Sequence, residues 1–119
     1  MMVLVFGLEG EDAILQRLRK MFPDVGFKKH ASSDDLEEEG RDLVVLDTVE
    51  GAESVVLIED LNSISPGKAL KGSETLMTLR IMKSIGSFDS VKVIAVPPGF
   101  GVEEAVEGIG KILGEIKGN

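Results

Sequence analysis

Carboxylates in two short segments are the residues best equipped for chemistry. Glu9, Glu11 and Asp12 follow the glycine Gly7, and Asp47 and Glu50 frame a second turn that ends at Gly51. Oxygen donors on two neighbouring loops are the ligand type that hard or borderline divalent cations accept. Each position also has a plainer explanation. Glu11 and Asp12 fall where a helix would begin, and acids in a first turn are favoured by the helix dipole. Asp47 is also a natural turn residue after a strand, and Glu50 and Glu53 fit a solvated turn. The lone His30 stands beside Lys28 and Lys29, where an edge or surface histidine is the simpler alternative to a metal or acid–base role. One His and no nucleophile elbow leave no Ser-His-Asp triad to assemble. Gly7-Leu8-Glu9-Gly10 lacks the G-x-G-x-x-G spacing, and its acids would repel a pyrophosphate. Ser65-Pro66-Gly67-Lys68 lacks the P-loop spacing, so Lys68 and Lys71 read as loop lysines.

The elements that must position these carboxylates follow from hydrophobic patterning. Met2–Phe6 is a continuous apolar run, as expected of a strand buried on both faces. Ile14, Leu15, Leu18, Met21 and Phe22 recur at helical spacing, with Pro23 as the stop. Val25–His30 predicts a second, more polar strand near an edge, and Ser32-Ser33 can cap a short turn over Asp34–Glu39. Leu43–Leu46 predicts a third strand closed by Asp47, and Val55–Ile58 a fourth closed by Glu59 and Asp60. Ser63–Ser73 is a loop by its Pro, Gly and Ser content. A helix follows on Leu76, Leu79, Met82 and Ile85, widened by Met77 and Ile81. Val91–Val96 is the fifth strand, ended by Pro97-Pro98-Gly99, and a last helix runs on Val102, Ala105, Val106, Ile109, Ile112, Leu113 and Ile116. Gly108 and Gly110 interrupt that helix at about 1 kcal/mol each relative to Ala, which suggests close approach to the sheet.

Helices alternating with buried strands predict an α/β fold: a three-layer α/β/α sandwich around a mostly parallel five-stranded sheet. The short link between the third and fourth strands predicts that one of them runs antiparallel. In such sheets ligands gather outside the carboxyl ends of the strands, so the loops after Phe6, Leu46 and Val96 are the expected site. The third of these, Pro97–Gly101, contains no ionisable group.

Composition narrows the function classes. The 119 residues suit one domain, residues 1–119, large enough to bury its own core. There is no Cys, which removes thiolate metal sites, Fe–S clusters and Cys nucleophiles, and suits a reducing, cytoplasmic setting. A net charge of −8 with no Trp and no Tyr argues against a nucleic-acid partner, which would need a basic stripe or stacking platforms. No apolar run approaches the roughly 20 residues that span a bilayer, so no membrane partner is expected. MMVLVFG lacks a basic flank and reads as the first strand and not as a signal peptide.

Taken together, MVLVFGLEGEDAILQRL, LVVLDTVEG and VKVIAVPPGFGVEEAVEGIGKIL resemble, in order, three segments of the hydrogenase maturation endopeptidases. These are a strand, glycine and acidic loop into a helix; an apolar strand ending in an Asp turn and a glycine; and a last strand with a Pro-rich end and a closing helix. The resemblance implies that Glu11 or Asp12 stands where the family has a metal-binding acid, with Asp47 and Glu50 as the second acidic pair. The family's His is missing near Gly72-Ser73-Glu74, where Glu74 is either a substitute oxygen ligand or a helix-starting acid. Leu8 replaces the family's Asn. The implied activity is removal or recognition of the C-terminal extension of a nickel–iron hydrogenase large-subunit precursor, with nickel carried by that precursor as the signal. The missing His and Asn leave open a non-catalytic binding or assembly module on the same fold. A receiver-like signalling domain is a third possibility, weakened because Pro97-Pro98 stand where a phosphoryl-holding Lys is needed.

Overall fold

The structure, a computed structural model, describes residues 1–29, 36–61 and 74–118, without the side chains of Glu37, Glu38, Glu74 and Thr75. His30, the Ser32-Ser33 cap, Asp34, and the loop with Lys68 and Lys71 lie outside the described residues. The chain forms β1 (Met2–Phe6), α1 (Glu11–Met21), β2 (Gly26–Lys29), a 3-10 turn (Leu36–Glu39), β3 (Asp42–Thr48), β4 (Val56–Ile58), α2 (Glu74–Ser84), β5 (Ser90–Val96) and α3 (Val102–Gly118).

The strands build one sheet in the order β2-β1-β3-β5-β4. The pairings β1–β2, β1–β3 and β3–β5 are parallel, and β4 lies antiparallel to β5. The more polar β2 is an edge strand, as its sequence indicated. The antiparallel strand is β4, one of the two expected, but it does not pair with β3. β5 enters between them, and its seven residues pair with β3 over the whole length of both.

Alternation along the central strands divides the core in two. Val3, Val5, Leu46, Ile94 and Val96 face one layer with Ile14, Leu15 and Leu18 of α1 and Ala105, Ile109 and Leu113 of α3. Leu4, Phe6, Val45, Val93 and Ala95 face the other, with Leu36 and with Leu76 and Leu79 of α2. The α/β/α layering is therefore as expected from the sequence.

Several details differ. Met21, placed on the buried stripe of α1, is 50% exposed as the last residue of that helix, and Ile81 and Ile85 stand out of the core. Val55 precedes β4 instead of opening it. Gly108 is the close approach anticipated in α3, but toward Val55: a Cβ there would stand 2.6 Å from Val55 Cβ. Gly110 faces Met21 and Phe22 at the end of α1.

Candidate functional site at the carboxyl ends of the central strands

The chain leaves β1 toward β2 on one side of the sheet, and the strands that follow β3 lie on its other side. The loops after β1 and β3 therefore diverge, opening the switch-point crevice where such sheets bind ligands. At this edge Phe6, Asp47 and Ala95 stand abreast in register on three adjacent strands.

Asp47 does not close β3 as a turn residue: it lies inside the strand and is 1% exposed, the only buried charged residue among those described. Period-two alternation places it on the same face as Val45, the face covered by α2. Its Oδ1 accepts the backbone N–H of Thr48 at 2.8 Å. The loop after β1 passes close by, since a Cβ on Gly7 would come within 3.5 Å of that oxygen. Space alone would admit it, but Gly7 has φ +46, a left-handed conformation that glycine adopts at least cost. A buried carboxylate is tolerated only with hydrogen-bonding partners, and the strand end supplies one.

Glu9 is the first-loop acid that faces the crevice. Its backbone N–H donates to Thr48 Oγ1 at 3.2 Å, and its Oε2 accepts the N–H of Gly99 at 2.9 Å. Val49 N–H donates to the carbonyl of Val96 at 2.9 Å. The loops after β1, β3 and β5 are thus tied to one another. Helix-start logic drew attention to Glu11 and Asp12. The tertiary contacts single out Glu9, whose sequence signal was only its place in the loop.

Glu11 and Asp12 open α1, as the dipole argument expected. Asp12 is exposed and pairs with Lys29 at the end of β2, on the far side of β1 from Asp47. The Lys29 ammonium, by hydrogen bond and then by charge, holds the Asp12 carboxyl below its usual range, and Asp12 in turn raises Lys29. Glu50 and Glu53 are exposed on the loop after β3, consistent with a solvated turn. Glu74 begins α2, and its side chain is outside the described residues. The structure brings Asp47 and Glu9 to the crevice and directs Asp12 away from it.

Among the described residues no group of three or more His, Asp or Glu side chains is arranged to hold a metal ion. No helix among the described residues is long and apolar enough to cross a membrane. In comparisons with known proteins, no family model, no curated protein and no solved structure matches the chain.

Proposed function

We propose that this protein is hydrogenase maturation endopeptidase-like, recognising or removing the C-terminal extension of a nickel–iron hydrogenase large-subunit precursor in the cytoplasm. The observation that carries this is Asp47: a buried carboxylate at the end of a central strand, beside the Gly7 loop and at the switch point of the sheet. Carboxylate oxygen is an acceptable donor to borderline nickel, and nickel arriving on the precursor could polarise the carbonyl to be cleaved. Nickel is then part of the substrate, and the crevice needs only to complete its coordination.

One observation favours a second reading, a non-catalytic binding or assembly module. Asp12 is engaged by Lys29 and Glu9 by Gly99, so two first-loop acids already serve the protein's own fold. A calorimetric nickel titration of the purified chain at neutral pH separates the two, with Asp47→Asn and Glu11→Gln as variants and thermal melts to show that both remain folded. Stoichiometric binding lost in both folded variants supports the endopeptidase reading. Absent binding, or binding indifferent to both substitutions, favours the assembly module.

A further inference from the structure

Between α3 and the β4 edge of the sheet lies an open groove of about 320 Å³. Val55, Phe100 and the backbone at Gly108 form its apolar part, and Glu104, Glu107 and Lys111 its charged part. Sites that take ligands span roughly 300–1,000 Å³. Gly108 is what lets α3 come down onto Val55, since no Cβ fits between them. Val55, Leu57 and Phe100 pack on the α3 side of the sheet yet stay only half-buried. Apolar surface is therefore left in contact with water along this edge.

Charge and backbone together indicate the occupant. Glu104 and Glu107 are exposed and lie three residues apart, neighbours on one face of α3. Neither has an ion-pair partner among the described residues: the ion pairs of α3 are made by Glu103 with Arg17 and by Lys117 with Asp24. Two carboxylates against the one ammonium of Lys111 leave the groove negative, in a chain that carries −8. A cationic partner is drawn to such a surface. A second copy meeting it through the same groove would set glutamates against glutamates, which opposes association. The backbone adds a shape. β4 pairs with β5 on one side and ends the sheet on the other. Alternate residues of an antiparallel strand turn their N–H and C=O away from the partner, so the outer edge of β4 is a template for one more strand. Every second side chain of an added strand points to the α3 side, beside Val55 and Leu57.

We propose that the β4 edge and this groove bind an extended, basic segment of another protein by strand addition. Main-chain hydrogen bonds to β4 align the segment, and alternate side chains give specificity. An apolar side chain sits against Val55 and Phe100, and flanking Lys or Arg residues meet Glu104 and Glu107. β4 has only three residues, so the ladder is short and the complex is reversible. The surface does not use Asp47 and does not rest on the nickel reading.

Fluorescence anisotropy of labelled hexapeptides titrated with the full chain tests the proposal. The probe alternates Leu or Val with Lys or Arg. Control peptides replace the apolar residues by Ser, replace the basic residues by Glu, or carry N-methylated backbone amides. The probe should bind, and each control should bind at least about tenfold more weakly, or about 1.4 kcal/mol. A Glu104→Lys, Glu107→Lys double variant should lose at least as much affinity for the probe. Both of its positions are exposed, so its thermal melt should coincide with wild type. Amide NMR shifts on adding the probe should map to residues 55–58 and 100–111. A probe that does not bind, a control or double variant that binds equally well, or shifts that map elsewhere overturns the proposal. Concentration-dependent shifts of the same amides in the chain alone would assign the edge to a second copy and overturn it too.

Discussion

Asp47 concentrates the chemistry of this chain in one buried carboxylate, and its environment predicts how substitutions there should behave. Asp47→Ala removes the acceptor for the part-buried Thr48 N–H, which costs about 0.5–1.5 kcal/mol. Asp47→Asn keeps an oxygen in place and should cost less. Urea unfolding with an unchanged m-value checks both, and equal losses would show that the negative charge, and not the acceptor, is what the strand end requires. Sequence alone left Asp47 open between a ligand and a turn residue. Its burial decides against the turn, and burial depends on what packs over the strand.

At the scale of elements, the glycines of α3 make a paired prediction. Gly108 faces Val55, and the Cβ of an alanine would meet Val55 Cβ and Cγ2 at 2.6 Å. Gly108→Ala should therefore destabilise by about 1–3 kcal/mol through overpacking, outweighing its helix-propensity gain. Gly114 lies in the same helix with nothing within 4 Å of a Cβ. Gly114→Ala should stabilise by about 0.5–1 kcal/mol. Chemical denaturation of the two variants in parallel checks the contrast, and shifts of the same sign would refute it. Both glycines look alike in the sequence. Only the position of Val55, some fifty residues away along the chain, distinguishes them.

At the scale of the whole molecule, three of the exposed ion pairs among the described residues tie an aspartate to a distant part of the chain: Asp12 with Lys29, Asp24 with Lys117, and Asp89 with Arg41. In each, the hydrogen bond to its cation is the main cause holding the aspartate below its ordinary value of 3.8. A carboxyl depressed on folding contributes stability that is fully present above its unfolded value and is lost as pH falls through the folded one. Stability should therefore decline as pH drops below 3.8. Replacing the three aspartates by asparagine should flatten that limb, and so should high salt, because exposed pairs are screened. Thermal melts as a function of pH, with and without added salt, check this, and an acid limb unchanged in the triple variant would count against it.

Much of the architecture was legible along the chain. Continuous apolar runs at β1, β3 and β5 and three-and-four spacing in α1 and α3 report burial directly, because one side of a helix and both faces of a central strand must leave water. The same periodicity misled in α2, where Ile81 and Ile85 extended the apolar pattern onto solvent, since hydrophobicity does not say which surface covers a residue. The insertion of β5 between β3 and β4, the choice of Glu9 over Asp12 at the crevice, and the burial of Asp47 were settled only in three dimensions. Each depends on contacts between segments far apart in the chain, and local propensity does not encode them.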